Sequence, residues 1–80
     1  MYSSIYRRFI GLVSEMTKAK RKDLTINAYF EKDLGFDKKN LEILRKKIED
    51  EFRLKLPKNI FKEFNTIGEI IGFIEAEIVR

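Results

Sequence analysis

Apolar residues fall into helical register in four stretches of the chain. Tyr2, Ile5, Tyr6, Phe9, Ile10, Leu12, Val13 and Met16 follow the 3.6-residue period and describe one broad face, which predicts a first helix from about Ser4 to about Lys18. Leu41, Leu44, Ile48 and Phe52 form a second face, on a helix that begins after Asp37 and runs to Phe52 or Arg53. Aspartate suits the cap position because its carboxylate accepts from the first unpaired backbone amides. The other faces of that helix carry Lys39, Glu42, Arg45, Lys46, Glu49 and Asp50. Leu54-Lys55-Leu56-Pro57 ends it, since proline keeps the residue before it out of helical geometry. A short third helix is expected at about Lys58 to Phe64, with Ile60, Phe61 and Phe64 as contacts and Asn65 as its breaker. Thr66-Ile67-Gly68-Glu69 is a capping-box pattern. It opens a last helix to about Val79 whose buried face is Ile67, Ile70, Ile71, Ile74 and Ile78.

Between the first two helices lies a long connection, from the basic run Lys18-Ala19-Lys20-Arg21-Lys22 to Asp37. Loops of this length are uncommon between helices unless they are partly structured. Leu24, Ile26, Tyr29, Phe30 and Leu34 are the residues expected to pin it to the core, and Gly35 supplies a permissive backbone position. No alternating strand pattern or hairpin turn signal is present. The fold class is therefore all-α: three longer helices, one short helix and a long first loop.

Composition narrows the chemistry. A length of 80 residues predicts a single domain with a modest core. The chain has no cysteine and no histidine. Disulfides, thiolate metal sites and Ser-His-Asp or Cys-His catalysis are thereby excluded. With its carboxylates scattered over helix surfaces, the chain offers no catalytic constellation and reads as a non-enzyme. No apolar run reaches the length of a membrane span, and the apolar residues near the start are interrupted by Arg7, Arg8 and Glu15, unlike a secretory signal. A cytoplasmic location is expected. The net charge of +4 comes from 17 basic and 13 acidic residues, too mixed for a dedicated nucleic-acid binder.

Residues 24–37, ending in Asp33-Leu34-Gly35-Phe36-Asp37, resemble the approach to the modification site of acyl carrier proteins. That family's hallmark is an Asp-Leu-Gly-x-Asp-Ser-Leu run. The resemblance continues through Glu49-Asp50-Glu51-Phe52, Leu56-Pro57 and Thr66-Ile67-Gly68-Glu69, and covers roughly residues 24–78. It implies an acyl-carrier-protein-like four-helix bundle. In the family a serine at the start of the second helix carries 4′-phosphopantetheine, whose thiol bears acyl chains between enzymes. The free amides and dipole of a helix start favour the attached phosphate.

Where the resemblance places that serine, this chain has Lys38, flanked by Asp37 and Lys39. A lysine ammonium is protonated at neutral pH and cannot form the phosphoester. Ser3, Ser4, Ser14, Thr17, Thr25 and Thr66 all lie away from this position in sequence. No 4′-phosphopantetheine or other cofactor, and no metal, is therefore expected. Lys38 reads either as a solvated surface lysine or, with Lys39, as part of a new contact surface. The resemblance also implies an acidic second helix, yet residues 38–53 hold six basic and four acidic side chains, about +2. Charge complementarity sets partner choice, so partners with acidic docking patches are expected, meeting Lys38, Lys39, Glu42, Arg45 and Lys46. The seven phenylalanines suit a stable small core; they would also fill the interior in which the family shelters an acyl chain.

Three functions compete. The first is a monomeric acyl-carrier-like protein without the arm, acting as a protein-binding module beside biosynthetic enzymes. The second is a genuine carrier in fatty-acid or polyketide biosynthesis, modified or loaded unconventionally. The third is binding of nucleic acid or an anionic membrane through Arg7, Arg8, Lys18, Lys20, Arg21 and Lys22.

Overall fold

The computed structural model describes residues 4–79, so Tyr2 and Ser3 lie outside the described residues. Four α-helices follow one another: α1 (Ser4–Met16), α2 (Lys38–Phe52), α3 (Ile60–Glu63) and α4 (Ile67–Val79). The all-α expectation holds, and the only sheet-like pairing among the described residues is an isolated bridge between Tyr29 and Thr66. α1 packs against both α2 and α4. Its buried residues are Phe9, Ile10 and Val13, with Ile5, Tyr6, Leu12 and Met16 half-buried against the core. The helix stops at Met16 rather than Lys18, because the Thr17 hydroxyl takes the Ala19 amide at 3.1 Å and turns the chain.

The long connection is structured, as its length requires. Arg21–Asp23 forms a 3-10 turn inside it. Leu24, Phe30 and Leu34 are buried, as expected of pinning residues, but Ile26 and Tyr29 are 52% and 40% exposed. The backbones of Ile26 and of the two neighbours of Tyr29 do the anchoring instead. The Ile26 carbonyl accepts the Gly68 amide at 2.8 Å, the Ala28 carbonyl accepts the Ile67 amide at 3.0 Å, and the Phe30 amide donates to the Asn65 carbonyl at 3.1 Å. The start of α4 thus gives its free amides to this loop instead of to water.

That arrangement requires a glycine. A Cβ at Gly68 would sit 2.9 Å from the Ile26 carbonyl oxygen, whereas one at Gly72 would meet nothing within 4 Å. Gly68→Ala is therefore expected to destabilise by about 1–3 kcal/mol, overpacking outweighing the better helix propensity of alanine. Gly72→Ala is expected to stabilise by up to about 1 kcal/mol. Thermal melts of the two variants should move in opposite directions; a shift of both in one direction would contradict this account.

α2 ends at Phe52, five residues before Pro57. Its terminator is Arg53, which adopts the left-handed conformation (φ 54°, ψ 51°) and returns its amide to the Glu49 carbonyl. α3 is shorter than expected: residues 57–59 form a turn, with the Ile60 amide on the Pro57 carbonyl at 3.1 Å, and only Ile60–Glu63 is helical. The capping box on α4 forms as read, the Glu69 amide reaching the Thr66 hydroxyl at 3.3 Å while the Glu69 carboxylate accepts the Thr66 amide at 3.2 Å. Ile67, Ile70, Ile71 and Ile74 are buried, but Ile78 is 43% exposed.

Candidate functional site

The entrance to α2 is built by its own side chains. The Asp33 carboxylate accepts the Tyr29 amide at 2.8 Å, closing the turn from which the segment leaves. Leu34 is buried. Gly35 has φ +75°, a left-handed value that glycine adopts without strain. Phe36 is buried and returns its amide to the Phe30 carbonyl at 2.9 Å. Asp37 then caps α2, its carboxylate accepting the Asn40 amide at 2.7 Å. Each residue from Asp33 to Asp37 has a structural task. Lys38, the first residue of α2, has an exposed side chain with no ion pair among the described residues.

Hydroxyl groups near this entrance are few and engaged. Residues 36–41 contain no serine or threonine. The fold does bring Thr17 against the segment, closer than its place in the sequence suggests, its hydroxyl donating to the Leu34 carbonyl at 2.9 Å. That contact braces the entrance from behind and uses the hydroxyl. Ser14 donates to the Gly11 carbonyl at 3.0 Å within α1, and Thr66 caps α4.

Lys39, Glu42 and Lys46 are exposed, but Arg45 is not: it is 7% exposed. The reason lies beyond α2. The Arg45 guanidinium bonds Glu42 on one side and Glu49 at 3.3 Å on the other, and donates to the Leu56 carbonyl at 3.2 Å. Glu49 completes the clamp by accepting the Leu56 amide at 2.8 Å. Arg45 therefore ties the connection after α2 back onto the helix and offers no charge to a partner. Sequence reasoning missed this because the ligand of the guanidinium is a backbone carbonyl, which carries no residue-type signature. Through its bond to Arg45, and with help from that charge and from Lys46 and Lys58, the Glu42 carboxyl is held below the ordinary glutamate range despite some desolvation.

Beside Lys38, α2 and α3 border an open cleft of about 270 Å³. Leu41 and Phe61 give it apolar walls, while Lys38, Lys58 and Lys62 stand around it with Glu31 and Glu42. A neighbouring hollow shares Glu31, Leu41, Phe61 and Lys62 and adds Lys32. Lys38 is thus joined by lysines from the loop and from around α3, which sequence spacing did not group. Among the described residues, no cluster of carboxylates could hold a metal ion, and no helix is long and apolar enough to cross a membrane.

Known proteins give the same fold a family. Residues 7–74 match the phosphopantetheine attachment site family. The acyl carrier protein of Borrelia garinii subsp. bavariensis is 31% identical over 71 residues, covering 89% of each chain. That of Borreliella burgdorferi is 30% identical over the same length. The acyl carrier protein of Porphyromonas gingivalis is 29% identical over 76 residues, 95% of this chain and 97% of the relative. The matched span runs from α1 into α4 and includes the turn, glycine and cap that launch α2, so the chain belongs to the acyl carrier protein family, a family of carriers whose prosthetic group is phosphopantetheine.

Proposed function

We propose that this chain is a single-domain, monomeric, cytoplasmic member of the family that carries no phosphopantetheine arm and acts as a protein-binding module beside biosynthetic enzymes. One observation carries the proposal. The residue that follows the Asp37 cap is Lys38, and no hydroxyl stands in the first turn of α2. The phosphoester needs an oxygen nucleophile there, and an ammonium does not supply one. The residues preceding Lys38 still form the motif's turn and cap, so the fold outlasts the chemistry. A lysine in the first turn also faces the positive end of the helix dipole, a small cost that a neighbouring carboxylate such as Asp37 offsets.

The exposed charge of α2 supports a changed partner. Lys38, Lys39, Lys46 and Lys47 are exposed, and Arg45 is one cation shared between Glu42 and Glu49, so the net positive charge of the helix resides in the lysines. A surface of this sign favours an acidic docking patch and slows encounter with a basic one.

Intact-mass measurement after incubation with coenzyme A and a phosphopantetheinyl transferase tests the proposal, with a modifiable carrier in the same tube as positive control. The expected result is an unchanged mass for this chain. Lys38→Ser is expected to gain one arm, because the fold of the entrance is already in place. A gain of one arm by the unaltered chain would establish the other reading, a working carrier loaded at an unexpected residue.

A further inference from the structure

We propose that the corner of the first loop formed by residues 18–27 is a peripheral docking surface for an anionic lipid bilayer. Lys18, Lys20, Arg21 and Lys22 meet the lipid phosphates, and Ile26 enters the apolar layer beneath them. The inference uses no residue of α2 or α3 and is independent of whether the chain carries an arm.

The charge excess of the chain lies in this run. Four of the 17 basic residues fall within residues 18–22, which hold no acid, and the other 13 are matched by 13 acidic residues. All four are exposed, and none has an ion pair among the described residues. Arg8, which charge alone would group with them, is turned to Glu51 instead. Glu15 and Asp23 flank the run in sequence, and Asp33 borders a shallow hollow with Lys22 and Asp23. Those two aspartates temper Lys22 most, which leaves Lys18, Lys20 and Arg21 as the leading charges.

Tight turns gather the segment into one corner. The Asp23 amide donates to the Lys20 carbonyl at 2.8 Å, the Leu24 amide to Arg21 at 3.1 Å, and the Ala28 amide to Thr25 at 3.0 Å. Leu24 and Ala28 are buried and hold the corner down, while residues 20–23 and 25–27 are exposed. Ile26 is 52% exposed, more than any other large apolar side chain among the described residues. Its backbone is fixed, since its carbonyl accepts the Gly68 amide at 2.8 Å. An aliphatic side chain is thus presented outward, four residues after a run of cations, by a backbone tied to the start of α4.

That pairing selects the occupant. A basic segment gains from the negative potential of anionic lipid, and an apolar side chain beside it gains from burial below the headgroups. A nucleic-acid backbone would use the cations and leave Ile26 in water. It would also need basic residues beyond the run, and the rest of the chain is balanced. An acidic protein would call for an apolar recess, whereas the hollow at this corner is walled mainly by Lys22, Asp23, Thr25, Asn27 and Asp33.

The test is co-sedimentation of the intact chain with vesicles of phosphatidylglycerol and phosphatidylcholine in equal parts, at about 0.1 M salt. Binding is expected there, but not with phosphatidylcholine alone. Lys20→Gln combined with Arg21→Gln is expected to weaken partitioning by about 10-fold or more. Lys46→Gln combined with Lys47→Gln, on α2, is expected to change it by less than about 2-fold. The chain has no tryptophan, so Ile26→Trp supplies a single fluorescent reporter. Its emission is expected to move to shorter wavelength on the mixed vesicles and to be quenched by brominated lipid. Circular dichroism checks that each variant remains folded.

No binding to the mixed vesicles, equal binding to phosphatidylcholine alone, or an equal loss from the α2 pair would each overturn the bilayer surface. So would Ile26→Trp emission that brominated lipid leaves unquenched, or tighter binding of single-stranded DNA than of vesicles at equal phosphate concentration. Arm attachment is read separately by mass, so a failed sedimentation leaves the arm-less reading standing.

Discussion

Phe30→Ala is expected to cost about 3–5 kcal/mol, the upper range for a buried aromatic truncated to alanine. A domain of this size has a total stability of only about 4–12 kcal/mol, so the variant should be largely unfolded at modest urea concentrations. Phe30 is 1% exposed, and its ring lies at the junction of three edge-to-face contacts. Its centroid is 6.3 Å from that of Phe9, 5.8 Å from Phe36 and 5.1 Å from Phe61, with interplanar angles of 70°, 79° and 77°. Those partners belong to α1, to the entrance of α2 and to α3. The ring therefore joins the first loop to three other parts of the molecule at once.

The backbone of Phe30 adds to this. Its amide donates to Asn65 and its carbonyl accepts from Phe36, so loosening the residue releases the segment that leads into Lys38. Phe30→Leu keeps most of the volume and is expected to lose roughly 1–2 kcal/mol, mainly in aromatic contact. Urea denaturation midpoints at constant slope measure both. A loss below about 1 kcal/mol for the alanine variant would show that the cluster is not central to the core.

The second large effect is expected at Arg45. Arg45→Met keeps an apolar stem of similar reach and removes the guanidinium. It leaves the Leu56 carbonyl without its donor and Glu49 without its cation, and is expected to cost about 2 kcal/mol. The damage should be local. Amide exchange at Leu56 and through the turn before α3 is expected to rise, while α1 and α4 stay protected. Uniform acceleration across the chain would argue that Arg45 acts only on global stability.

Acid should report the same clamp through Glu42. Its carboxyl is lowered from the usual 4.5, first by the hydrogen bond from Arg45 and then by the charges of Arg45, Lys46 and Lys58. A carboxyl whose folded value lies below its unfolded value contributes its stability fully above the unfolded value. That contribution is lost as pH falls through the lowered folded value. The gap in stability between the unaltered chain and Arg45→Met should therefore narrow below about pH 4.5. A gap that stays constant from pH 7 to pH 3 would remove Glu42 from the clamp.

A further contact has a smaller role. Arg8 reaches from α1 to the Glu51 carboxylate at 2.7 Å and lies 4.6 Å over the Phe52 ring. Both partners of the ion pair are exposed, so the pair adds little stability.

The helices and their caps were legible in the chain because their causes are local. Asp37 bonds Asn40, and Thr66 exchanges bonds with Glu69, each within a single turn of its own helix. Leu41, Leu44, Ile48 and Phe52 are buried where a 3.6-residue period puts them. The ends that failed were those fixed by less typical devices: Thr17 turning the chain after α1, and a turn occupying residues 57–59; α2 ends at Phe52 as read, with Arg53 in a left-handed conformation as its cap.

The sequence by itself also determined the question about function, since the Asp33–Asp37 motif and the lysine after it are both local facts. Only the tertiary structure decided which charges are available to answer it. Arg45 spends its charge on Glu42, Glu49 and the Leu56 carbonyl, 11 residues away, and leaves the surface. Ile26, Ala28 and Phe30 tie the loop to the approach and start of α4 with backbone groups, while the Ile26 and Tyr29 side chains stay exposed. Lys32, Lys38, Lys58 and Lys62 are spread over three parts of the chain and meet at adjoining hollows only because α3 folds back beside the start of α2. Periodicity records which face of one element is apolar; which polar groups two elements share is set by their packing.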